Sequence, residues 1–121
     1  MRFLAIDHIQ LSIPPGGEEQ ARRFYGDLLG FLEVPKPAEL LNRGGAWFEQ
    51  GTIKLHLGVE ADFHPLKKAH PGLLVEDLEA LIARLSEADY EVDRSQPPLE
   101  RYKRAHVLDP FGNRLELLEK L

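Results

Sequence analysis

Two histidines open matching stretches of this chain. His8 enters the run Asp7-His8-Ile9-Gln10-Leu11-Ser12-Ile13, His70 enters His70-Pro71-Gly72-Leu73-Leu74-Val75, and an acidic helix start follows each. They stand 62 residues apart in a chain of 121, and the same offset carries Lys54 in Ile53-Lys54-Leu55 onto Glu116 in Leu115-Glu116-Leu117. Two copies at a period near 60 indicate a duplicated module rather than a solenoid. Strand alternation sets His8 beside Gln10 and Ser12 and sets His56 beside Thr52 and Lys54; it also sets His106 beside Tyr102 and Arg104. The chemistry is expected where these polar strand faces meet. Histidine titrates nearest neutrality, so His56 is a candidate to move a proton; its plainer role is a partly solvated strand residue.

The elements that must position these residues follow from periodicity. Residues 3–13 alternate, with Phe3, Ala5, Ile9, Leu11 and Ile13 on one face, and read as a strand ended by Pro14-Pro15-Gly16-Gly17. Ala21, Phe24, Tyr25, Leu28 and Leu29 make the apolar stripe of a helix from Glu18 to Leu29, stopped by Gly30. Residues 31–34 form a short strand, and 35–45 a loop with a helical turn at 38–41. A hairpin of 46–49 and 52–57 turns at Gln50-Gly51. Residues 58–69 read as a linker between a first module, 1–57, and a second, 70–121. The second repeats the order: strand 70–75, helix 77–88 with Leu78, Leu81, Ile82 and Leu85 as its stripe, and short strand 90–92. A hairpin of 101–108 and 113–118 then turns across Asp109-Pro110-Phe111-Gly112-Asn113. The expected fold class is α+β in one domain, two βαβββ modules forming a curved, partly open mixed sheet. Helices with one apolar stripe each cover the convex side and leave the other side concave.

Composition narrows the function classes. The chain has 43% hydrophobic and 29% charged residues, as a globular domain does. It has no cysteine, which excludes disulfides, thiolate ligands and cysteine nucleophiles. A net charge of −5 with scattered bases argues against nucleic acid as a partner. No apolar run approaches the roughly 20 residues of a membrane span, and the start lacks a signal-peptide progression. The expectation is a cytoplasmic protein with no membrane partner.

Across its whole length the chain resembles the vicinal oxygen chelate superfamily, which includes glyoxalase I, bleomycin-resistance proteins, fosfomycin-resistance thiol transferases and extradiol dioxygenases. The pieces that carry the resemblance, in the family's order, are Asp7-His8-Ile9, Arg23-Phe24-Tyr25-Gly26-Asp27-Leu28-Leu29-Gly30-Phe31, His70 with its strand, and Asp109-Pro110-Phe111-Gly112-Asn113-Arg114-Leu115-Glu116. The fold hosts several chemistries, so the match is specific for fold and weak for reaction.

The resemblance implies a metal set with one residue from the first and one from the last strand of each half: His8, Lys54, His70 and Glu116. Two imidazoles and a carboxylate suit zinc, nickel, manganese or ferrous iron. Lys54 departs from glyoxalase I, which has glutamate there, and an ammonium is no ligand; His56 lies two residues on and could serve in its stead. The expected metal residues are therefore His8, His70 and Glu116, with His56 catalytic. Glu116 lies between leucines and needs a cationic partner, either a metal or Lys54. Trp47, Lys54, Tyr102, Arg104 and His106 are expected to meet the substrate, Arg104 by gripping an anionic group; a solvated arginine is its plainer reading.

Two functions remain open. The first is a small metal-dependent enzyme chelating adjacent oxygens of a small molecule, with isomerase, lyase or thiol-transfer chemistry. The second is a metal-free protein sequestering a small ligand, as bleomycin-resistance proteins do, with Lys54 neutralising Glu116. Short members of the family pair as homodimers, which is the expected assembly.

Overall fold

The computed structural model describes residues 1–121, which divide into two units, Met1–His64 and Pro65–Leu121. In the first, β1 (Ile9–Ile13) leads to helix α1 (Glu18–Ala21), which continues as a π-helical segment, Arg22–Leu28. Strand β2 (Leu32–Val34), a 3-10 segment (Ala38–Arg43) and the hairpin of β3 (Ala46–Gln50) and β4 (Ile53–Val59) complete it. The second unit runs β5 (Gly72–Leu74), α2 (Leu78–Glu87), β6 (Val92–Asp93), β7 (Tyr102–Leu108) and β8 (Arg114–Lys120). Each unit carries a four-stranded mixed sheet, ordered β1-β4-β3-β2 and β5-β8-β7-β6, whose first pair is parallel. This is the α+β class and the β-α-β-β-β order read from the sequence.

The strands divide labour between their faces. Phe48, Leu55 and Leu57 bury with Ile13, Phe24 and Tyr25 in the first unit. Ala105, Val107, Leu115 and Leu117 bury with Leu78 and Leu85 in the second, where α2 packs on β6 and β8. Each such leucine or phenylalanine contributes about 1.5–3 kcal/mol by leaving water. Helix α2 starts at Asp77, whose carboxylate accepts from the Ala80 N–H at 3.0 Å, and Glu119 Oε1 accepts from the Leu78 N–H at 2.8 Å. Together these satisfy two of its free donors. The π-helical segment closes with Leu29 N–H donating to the Phe24 carbonyl, and Gly30 then turns the chain at φ +82°.

The turn at 109–113 is held by one side chain. Asp109 Oδ1 accepts from the N–H groups of Phe111 at 2.9 Å and Asn113 at 2.8 Å, while its Oδ2 accepts from the Asn113 amide at 2.9 Å. A five-residue connection so fixed sets the β7–β8 register, Leu108 opposite Arg114 and His106 opposite Glu116.

Several boundaries differ from the sequence expectation. The first strand begins at Ile9 rather than at residue 3, and Phe3, Leu4 and Ile6 are 97%, 88% and 82% exposed. Alternation reveals a face but not the length of the neighbour, and the β4 partners of β1 run only from Leu55 to Val59. Strand β4 likewise extends to Val59, past the expected module end at 57. Strand β6 starts at Val92 rather than at 90, because Asp89 takes φ +66° and the Tyr90 N–H still bonds back to Leu85.

Candidate functional site

The pairing registers define one polar row across each sheet. In the first unit Gln10 lies opposite His56, His56 opposite Trp47, and Trp47 opposite Val34. In the second, Gly72 lies opposite Glu116, Glu116 opposite His106, and His106 opposite Asp93. Residues directly opposite share a face. His8 and His70 each stand two residues before the start of their row. The structural counterpart of Glu116 is therefore His56, and that of Lys54 is Arg114. The equivalence of Lys54 with Glu116 drawn from a constant 62-residue offset is corrected: two residues fewer separate His70 from Glu116 than separate His8 from His56.

In the second unit the row gathers acid, base and cation. His70 Nε2 is 3.0 Å from Glu116 Oε1, and His70 Nδ1 is 2.8 Å from the Lys68 carbonyl. Arg104 Nη1 donates to Glu116 Oε2 at 3.0 Å, and its Nε donates to the Pro97 carbonyl at 3.0 Å. His106 Nε2 lies 3.9 Å from Glu116 Oε1. Glu116 thus has a cationic partner, but within its own unit that partner is Arg104; Lys54 pairs with Asp7 at 3.8 Å. Burial favours the neutral form of the Glu116 carboxyl. Hydrogen bonds from Arg104 and His70 outweigh it and hold the group below the usual carboxylate range. Burial and then the charge of Arg114 push His106 below the usual imidazole value.

These residues fit a divalent metal by their donors. One ligand atom from each of His70, His106 and Glu116 lies within 4.8 Å of the others. Tetrahedral bonds of about 2.1 Å hold donors about 3.4 Å apart, so the three side chains must draw in to close the set around an ion. His70 has the support that metal-bound histidines use, a carbonyl acceptor on the nitrogen away from the ion. Both its ring nitrogens face oxygens, Nδ1 the Lys68 carbonyl and Nε2 Glu116 Oε1.

The first unit uses the same places differently. The Trp47 indole lies on the His56 ring, centroids 3.8 Å apart and planes 1° apart, and the His8 ring stacks on His56 at 4.3 Å. Asp7 Oδ2 holds His8 Nδ1 at 2.9 Å. This ladder lines a cavity of about 370 Å³ with Gln10, Leu40 and Lys54. Burial, then the neighbouring His8, pushes His56 below the ordinary imidazole range, which keeps it neutral and able to accept a proton.

Of the residues expected at a site, the second unit brings together His70, Glu116, Arg104 and His106, with Tyr102 half-buried on the same face. The first brings together His8, His56 and Trp47, with Lys54 against Asp7. Sequence reasoning named His106 as a cavity residue but missed that it sits across from Glu116. The signal was present in the turn at 109–113, from which strand positions can be counted back in pairs.

The chain matches the family model of the Glyoxalase/Bleomycin resistance protein/Dioxygenase superfamily over residues 5–117. No curated protein matches it. A glyoxalase family protein from Bacillus anthracis is 43% identical over the whole of both chains, with a TM-score of 0.91. One from Enterococcus faecalis is 24% identical, covering 98% of this chain and 100% of the other at TM-score 0.77, a likeness of fold. The fosfomycin resistance protein FosX from Listeria monocytogenes shares the fold at TM-score 0.79 with 10% identity, over 99% of this chain and 96% of its own. No helix is long and apolar enough to cross a membrane. With its two β-α-β-β-β units and a family match spanning nearly all of its length, the chain belongs to the glyoxalase/bleomycin resistance protein/dioxygenase superfamily.

Proposed function

We propose that the chain is a metal-dependent enzyme that holds a divalent ion (zinc, nickel, manganese or ferrous iron) at His70 and Glu116. It acts on a small molecule with two adjacent oxygens, by isomerase, lyase or thiol-transfer chemistry. The supporting observation is the geometry of that pair, a carboxylate oxygen and an imidazole nitrogen 3.0 Å apart, each steadied from behind. His106 is the third donor nearest them; His8 is the third donor named by the repeat. A bound ion would supply a Lewis acid for the vicinal oxygens.

The chain's own groups do the remaining work. The Lys68 carbonyl accepts a hydrogen bond from His70 Nδ1 and leaves Nε2 for the ion. Arg104 occupies Glu116 Oε2 and leaves Oε1. His56, kept neutral by burial, is the proposed proton acceptor, and Trp47, Lys54 and Tyr102 are the proposed substrate contacts. The protein works as a cytoplasmic homodimer in this reading, and sedimentation reads its mass.

A second reading has one observation in its favour. Arg104 already neutralises Glu116 without any metal, as a metal-free ligand-binding protein would need. Elemental analysis of protein purified without chelator decides between them. Stoichiometric metal that is lost in Glu116→Ala and His70→Ala supports the enzyme; no metal, with these variants binding added ions like the parent, sinks it.

A further inference from the structure

Two polar groups of the second unit face one cavity with nothing in the chain to hold. Arg114, half-buried at the start of β8, makes no hydrogen bond or ion pair. His106 is 4% exposed, and its Nδ1 is sealed from solvent with no partner. Both line a cavity of about 570 Å³ walled by Tyr90, Leu108 and Pro110, with the exposed carboxylates of Asp89, Glu91 and Asp93 among its lining. Buried polar atoms are normally paired, and an unpartnered His106 Nδ1 beside a half-buried guanidinium with no ion pair is the exception that asks for a ligand.

The repeat makes the vacancy pointed. Arg114 occupies the place that Lys54 occupies in the first unit, two residues before the row. There Asp7, the residue before His8, supplies the countercharge at 3.8 Å. The residue before His70 is Ala69, so the second unit keeps the cation and lacks its carboxylate. No carboxylate of the chain pairs with Arg114, which leaves the guanidinium open to an anion from outside.

The geometry points to a binding site in this cavity for a small organic acid, whose carboxylate or phosphonate group pairs with Arg114 beside the His106 ring. A guanidinium presents paired N–H donors that match two oxygens of such a group. Asp89, Glu91 and Asp93 repel a second negative charge and favour an ammonium at the ligand's other end. The preferred class is therefore an amino-acid-like zwitterion rather than a dianion. The grip at Arg114 does not depend on the metal reading, although His106 is also a donor beside His70 and Glu116.

Protein stripped with EDTA and then dialysed, titrated with glycine, acetate and methylphosphonate and followed by NMR, tests this apart from metal binding. Saturable shifts are expected at the Arg114 Nε–H and the His106 ring, strongest with glycine. Arg114→Gln should weaken glycine binding about tenfold or more, as loss of a charged hydrogen bond does. Glu91→Gln should shift preference toward methylphosphonate, and Arg22→Gln in the first unit should change nothing. Absence of saturable shifts at Arg114 and His106, or equal weakening by Arg114→Gln and Arg22→Gln in spectra that keep folded dispersion, overturns the proposal.

Discussion

His56 and Glu116 occupy the same place in their two units, each directly across the parallel pair from the residue two after the leading histidine. In one unit that place holds an imidazole stacked between Trp47 and His8; in the other it holds a carboxylate hydrogen-bonded to His70 and Arg104. One scaffold position thus carries a neutral base in the first copy and an anion in the second.

Metal affinity measured by calorimetry should identify the ligands. His70→Ala and Glu116→Ala should each lower affinity by at least ~100-fold, more than the 10–100-fold typical of supporting residues. His8→Ala and His106→Ala, assayed side by side, then name the third ligand as the one whose loss is comparable. Parent-like binding in all four variants would remove the site.

Arg104→Ala tests the balance between arginine and metal at Glu116. The two side chains are only 16% and 12% exposed, so the carboxylate left behind loses a charge-assisted bond. Stability in urea without metal should fall by about 2–3 kcal/mol. A saturating divalent ion should restore most of it, since ligand binding to the folded state adds stability. No recovery would mean that the ion does not reach Glu116.

Acid should act on the first unit through His56, whose folded-state value lies below the usual 6.5. The unfolded ring takes a proton first as pH falls below about 6.5, so stability declines from there until the folded ring is also protonated. His56→Gln should flatten that part of the curve. Trp47 is the chain's one tryptophan, and its emission should brighten in His56→Ala as the stacked ring is removed. An unchanged spectrum would contradict the stack.

Gly45 and Gly51 make a controlled comparison. A Cβ on Gly45 would meet the Leu57 carbonyl oxygen at 2.1 Å, at φ +83°. One on Gly51 would meet nothing within 4 Å, at φ +57°. Gly51→Ala should cost about 1–2 kcal/mol for left-handed backbone alone. Gly45→Ala should cost more than ~4 kcal/mol, a severity reserved for backbone clashes and comparable defects. Equal melting temperatures would refute the close approach.

How far the sequence could be read depends on which kind of distance a feature involves. The helices, hairpins and duplication were legible because each is local: a stripe, a turn, a repeated word around His8 and His70. The partner of Glu116 was not, because counting residues from Lys54 assumes equal loops in both copies, and the copies differ by two residues between the leading histidine and the last strand. Arg104 stood on the same face as His106 by alternation, yet only the β7–β8 register sets both beside Glu116. The exposed run from Phe3 to Ile6 shows the same limit, since a strand ends where its neighbour does.

The apolar face of β7 and β8, with Ala105, Val107, Leu115 and Leu117, is separate from the face that bears Arg104, His106 and Glu116. An engineer could thus rewrite one side of these ribbons while the other keeps the architecture standing. Grafting glutamate at position 56, with a histidine at 47, would copy the second unit's trio into the first and ask whether duplication left a spare blank for inventing catalysts.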